Sequence, residues 1–174
     1  CCDFHVTDII MMSTDANISM IYDTVSYFKS EGKEVIFDGE HFFDGYKSNS
    51  EYAIKCLQAA KRAGADCIVL CDTNGGCMPY EIYEITGEIA NEMKMDIGIH
   101  AHNDSGVAVA NSIMAVKAGA VHVQGTFTGF GERCGNANLS AIIACLKLKM
   151  GCDVVTDCQL SKLTDTARMI SDIA

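Results

Sequence analysis

The chain has 174 residues, 49% of them hydrophobic, with a formal net charge of −10. That composition supplies one domain with a core of its own. It offers no Lys/Arg cluster to track a phosphate backbone, so no nucleic-acid partner is expected. No apolar run reaches the roughly 18 residues of a membrane span, and no signal peptide is visible in a sequence that begins at Cys1.

In chain order, residues 3–7 read as the remnant of a strand, and strands are predicted over 34–38, 66–71, 96–101 and 120–124. They are short and rich in Val, Ile, Leu and Cys, the composition of parallel strands covered on both faces. Between and after them run amphipathic stripes: Ile18, Ile21, Val25 and Phe28; Ala53, Leu57 and Ala60; Val109, Ile113 and Val116; Leu139, Ile142, Leu146 and Met150. Asp15, Ser50 and Asn138 are the expected N-caps, and residues 159–172 read as one more helix. A pattern repeats at Lys29–Gly32, Lys61–Gly64 and Lys117–Gly119. A helix ends on a cation, a glycine closes it, and a strand follows.

The ten cysteines show no paired C-x-x-C units. Cys56, Cys67, Cys145 and Cys158 stand in apolar or helical stretches, which reads as buried free thiols in a reducing, cytoplasmic setting. One proline and no low-complexity segment leave residues 1–174 as a single domain. The βα order at spacings of about 24–32 residues fits a (β/α)8 TIM barrel or a doubly wound sheet. No G-x-G-x-x-G occurs, and polar residues gather at every strand's C-terminal end, so the barrel is preferred. Four to five βα units make it a partial barrel, its C-terminal part.

Those strand ends hold the candidate chemistry. In Ile97–Asp104, His100 and His102 alternate along an extended strand, so both rings face one way and form half of a divalent-metal site. A satisfied core histidine beside a chance neighbour is the plainer alternative. Asn103 and Asp104 are candidates to orient an imidazole through its second nitrogen. The run Gly125–Asn136 carries four glycines and ends on Asn136, whose amide oxygen can face a metal. Thr73 ends one strand with a hydroxyl suited to a carboxylate, or to its own turn. Glu40 ends another, as a base, an electrostatic gate or a solvated loop residue. Cys134 reads as a spectator thiol, and His5 and His122 as structural.

Four blocks in this order, Phe37–Lys47, Leu70–Gly76, Gly98–Asp104 and Gly131–Asn138, resemble the 2-isopropylmalate synthase / homocitrate synthase / citramalate synthase family of metal-dependent barrel enzymes. The Glu40–Lys47 block is most similar to the citramalate synthases; many isopropylmalate synthases carry Glu-Asp where this chain has Glu40-His41. The resemblance implies an acyltransferase that condenses acetyl-CoA with a 2-oxo acid, pyruvate first among them, followed by thioester hydrolysis. It implies His100 and His102 as metal ligands, Asn136 as a further oxygen donor, Thr73 on the oxo-acid carboxylate and Glu40 near the reacting centre. The metal implied is Mn²⁺, Mg²⁺ or Zn²⁺. A metal-dependent carbon–carbon lyase or aldolase and a non-catalytic barrel relic are the competing readings. The family's Asp-x-Thr-Leu-Arg-Asp-Gly block and its C-terminal regulatory region have no counterpart here. The 174-residue chain by itself is therefore expected to be inactive, and its open edges to favour a homo-oligomer.

Overall fold

The computed structural model describes residues 1–174. Four parallel strands, β1 (Ile36–Gly39), β2 (Cys67–Asp72), β3 (Asp96–Ala101) and β4 (His122–Gln124), lie side by side in chain order. Eight α-helices accompany them: α1 (Thr14–Ser30), α2 (Phe42–Ser48), α3 (Ser50–Arg62), α4 (Pro79–Met93), α5 (Ala108–Lys117), α6 (Leu139–Met150), α7 (Asp157–Ser161) and α8 (Leu163–Ile173). The strand order never reverses, so the sheet has no switch point of the doubly wound kind. It is an arc of a TIM-type barrel.

Strand alternation sorts the two faces. Ile68, Leu70, Ile97 and Ile99 point outward and share one core with Leu57 of α3 and with Ile82, Ile85, Ile89 and Met93 of α4. Cys67, Val69 and Cys71 alternate to the other side and form a cluster of their own on the inner face. The inner face is concave. Gln124 of β4 donates from Nε2 to Asp38 Oδ1 of β1 at 2.9 Å, joining the two edge strands. In a flat sheet three strand spacings hold edges about 14 Å apart, more than these two side chains can bridge, so the sheet is curled.

Several local expectations are corrected. Residues 3–7 are not a strand: His5–Ile9 is a π-helical turn, its Val6 buried under Tyr52 and Cys56. The N-caps fall one or two residues early, at Ser13 and Asn49, whose side chains accept from Ala16 N and Tyr52 N; Asn138 caps α6 as expected. Phe28 drops out of its stripe and stands 46% exposed, while Val25 is buried. The last helix is two, broken at Lys162. The repeated cation–glycine stop is present three times, with Gly32, Gly64 and Gly119 all at positive φ. No cysteine is in a disulfide; five are buried, whereas Cys158 is exposed and Cys145 half-buried. No helix is long and apolar enough to cross a membrane.

Candidate metal centre

Parallel strands put all four C-terminal ends on one rim, and the candidate residues collect there. In β3, the alternation places the His100 and His102 rings on the same side, with centroids 5.2 Å apart. The Gly125–Asn136 loop returns to this rim and pairs Asn136 with His102 in an antiparallel bridge. Asn136 Oδ1 then lies 3.0 Å from His100 Nε2. The three residues are brought together although they sit on two separate segments of chain.

Hydrogen bonding fixes what those two atoms are. Asp38 accepts from the Gln124 amide nitrogen at 2.9 Å, so Gln124 Oε1 faces His100 Nδ1 at 2.8 Å. An amide oxygen only accepts, so Nδ1 carries the ring proton, and in the neutral ring Nε2 is a lone pair. Asn136 Nδ2 donates to the Phe130 carbonyl at 3.1 Å, which turns Oδ1 toward Nε2. With the ring in that form two acceptors face each other, an arrangement that a cation between them, or a proton on Nε2, satisfies. His102 is 8% exposed and its Nδ1 has no partner. Burial, then the His100 ring and the Arg133 guanidinium, lower its pKa, which keeps it in the neutral form that ligates metals. No group of three His, Cys, Asp or Glu side chains converges; what the chain offers is two imidazoles and one amide oxygen, a donor set that suits a divalent transition-metal ion.

The surrounding residues hold this geometry. Arg133 donates to both carboxylate oxygens of Asp104, at 2.9 and 3.0 Å, and to the Thr73 carbonyl at 2.6 Å. The glycine-rich loop is thus clamped to the ends of β2 and β3. Thr73 is buried, and its hydroxyl accepts from His41 N at 2.9 Å, leaving its own proton to donate. Asp72, pushed up by burial against the N–H groups of Cys77 and Gly76, ties the following turn. Glu40 is exposed, on the lining of a cavity of about 400 Å³ that also holds His5 and His41. Those two rings stack at 3.8 Å. Cys134 is exposed on the loop, and His122 is half-buried on the inner face of β4.

Asn103 and Asp104 do not orient an imidazole: Asn103 Oδ1 accepts from Ala108 N at the start of α5, and Asp104 belongs to Arg133. That task falls to Gln124, with Asp38 behind it. The alternation of His122 and Gln124 along β4 was a signal for the inward position of Gln124; its partner across the concavity had none.

Comparison with known proteins agrees with this architecture. A family model described as HMGL-like matches residues 1–170. The (R)-citramalate synthase of Aquifex aeolicus is 57% identical over 172 residues, covering 98% of this chain and 33% of that protein. A probable 2-isopropylmalate synthase of Methanopyrus kandleri is 33% identical over 168 residues, 97% of this chain and 33% of its own length. The chain thus spans about a third of these relatives. Among solved structures, the HMG-CoA lyase of Bacillus subtilis superposes with a TM-score of 0.78 at 20% identity, over 98% of this chain and 59% of that one, a likeness of fold. With four barrel strands in order and a family match running from residue 1 to residue 170, the chain belongs to the HMGL-like family.

Proposed function

We propose that this chain carries the metal- and oxo-acid-binding rim of an acyltransferase that condenses acetyl-CoA with a 2-oxo acid, pyruvate being the substrate and citramalate the product. The observation that carries the reading is the pair His100 Nε2 and Asn136 Oδ1, held face to face at 3.0 Å beside the His102 ring. The choice of reaction draws on relatives named (R)-citramalate synthase at 45–57% identity over nearly the whole chain.

His100, His102 and Asn136 would hold the divalent ion, which when bound supplies Lewis acidity to a ketone. The chain's own groups bind and orient the oxo acid beside it. Thr73 donates its hydroxyl proton to the oxo-acid carboxylate and so orients the keto carbon. Arg133, through the Thr73 carbonyl and Asp104, keeps that hydroxyl and the Asn136 loop in one frame. Glu40, just after β1 at the strands' C-terminal ends, is the candidate base that would accept the proton leaving the acetyl methyl. The buried free thiols suit a reducing, cytoplasmic compartment.

The test is free-thiol release from acetyl-CoA by the full-length protein that carries this sequence, against pyruvate, 2-oxoisovalerate and 2-oxoglutarate. Pyruvate-dependent release that requires a divalent metal and falls more than about a hundredfold in His100→Ala is expected. Absence of release with every 2-oxo acid overturns the reading. The 174-residue chain alone, an arc of four strands with an amide and two imidazoles, is expected to show no turnover.

A further inference from the structure

Gln124 has a role in this site that its side-chain class does not announce. Its amide oxygen faces His100 Nδ1 at 2.8 Å, where it accepts whenever that nitrogen carries the ring proton, and its amide nitrogen donates to Asp38 at 2.9 Å. Without that acceptor the ring has a competing option. It can carry its proton on Nε2 instead and donate it to Asn136 Oδ1, which already waits 3.0 Å away. That tautomer satisfies both atoms and seals the site, because the nitrogen that should ligate now bears a proton and the amide oxygen is occupied.

We propose that Gln124 is a positioning residue that prevents this self-sealing, and that Asp38 acts only by fixing which end of the Gln124 amide faces His100. An amide can flip, and with its nitrogen toward His100 it would select the sealed tautomer; the Asp38 carboxylate, which only accepts, forbids the flip. Asp38 is exposed and reaches the site from the opposite edge strand, so its influence on His100 passes through Gln124.

This rests on the metal-site reading above but not on the reaction, and its experiment needs no substrate. In the full-length protein, imidazole ¹⁵N shifts of His100 in the metal-free state report the tautomer, and titration with Mn²⁺ reports affinity. The unaltered protein is expected to carry the proton on Nδ1. Gln124→Leu is expected to move it to Nε2 and to weaken Mn²⁺ binding about ten- to a hundredfold, the usual cost of losing a ligand's outer partner. Gln124→Glu by itself would set a second carboxylate against Asp38, so it is read with Asp38 removed: Asp38→Ala/Gln124→Glu, whose carboxylate accepts in either orientation, is expected to keep the tautomer and stay within about threefold of the unaltered protein. Asp38→Ala with Gln124 present, where the amide is free to flip, is expected to weaken binding about tenfold. A role in folding alone would not give that dependence on background. An Nδ1 proton and unchanged affinity in Gln124→Leu overturn the proposal, as does an equal loss in Asp38→Ala and in Asp38→Ala/Gln124→Glu. Should Gln124→Leu not fold, the two backgrounds decide it. Loss of citramalate synthesis as the function, with the tautomer result intact, would leave this inference standing.

Discussion

At the scale of single residues, the geometry of the candidate site depends on atoms that are absent. A Cβ on Gly131 would overlap the Asn136 amide nitrogen, and one on Gly135, at φ +89°, would overlap the Gly129 carbonyl. Gly131→Ala is therefore expected to push the Asn136 amide out of line and lower divalent-metal affinity about tenfold without removing any ligand; calorimetric titration of the full-length protein checks it, and unchanged affinity would show that the amide oxygen is not used. The thiols divide just as sharply. Burial pushes Cys67 up to about 11 and Cys77 up to about 12, the latter also raised by Asp72, so both stay protonated near neutral pH. Cys134 and Cys158 are exposed. Alkylation followed by mass spectrometry at pH 8 is expected to mark Cys134 and Cys158 first and to leave Cys67 and Cys77 unmodified until the protein unfolds.

At the scale of elements, what stabilises the arc is the docking of each helix onto the two strands it connects. The fully buried Leu57 of α3 and Ile89 of α4 sit in the core shared with β2 and β3. One polar clip joins three elements at the opposite end from the site. Asp66, just before β2, accepts from Lys29 in the last turn of α1 at 2.7 and 2.9 Å and from Val35 N before β1 at 2.7 Å. These contacts, the Lys29 bond first and the Val35 N–H next, hold the Asp66 carboxyl below the ordinary range. A depressed carboxyl contributes stability that is present above its unfolded value of about 3.9 and is lost as the pH falls through the lower folded value. Asp66→Asn is expected to lower the urea midpoint at pH 7 and to differ less and less from the parent as the pH drops below about 4. A gap that stays constant over that range would show that the carboxylate charge contributes nothing.

At the scale of the whole molecule, an arc of four strands leaves β1 and β4 without outer neighbours. The exposed Ile36 and Val121 stand at those edges, 41% and 69% accessible. Beside β4 lies a cavity of about 500 Å³ between α5 and α6, lined by Val116, Val123, Leu139, Ile142, Leu146 and Val154. Unpaired edges and an apolar hollow are invitations to pair. The 174-residue chain alone is expected to self-associate at micromolar concentration, as measured by light scattering after size exclusion; a clean monomer at all concentrations would count against it.

What the sequence determined by itself was carried by short-range periodicity. The two-residue repeat put His100 and His102 on one face, the cation–glycine stops marked where helices gave way to strands, and the strand ends showed where the polar residues would collect. Helix starts were misplaced by one or two residues because Asp15 and Ser50 are as good a cap by type as Ser13 and Asn49, and only the local backbone selects among them. The tertiary structure alone decided that Gln124 and Asp38, 86 residues apart, would meet across the concave face and set the proton on His100, and that Asp104 would go to Arg133 rather than to a histidine. Those pairings depend on sheet curl and on the path of a glycine-rich loop. Both arise from packing between distant segments, which no spacing within one strand or helix encodes.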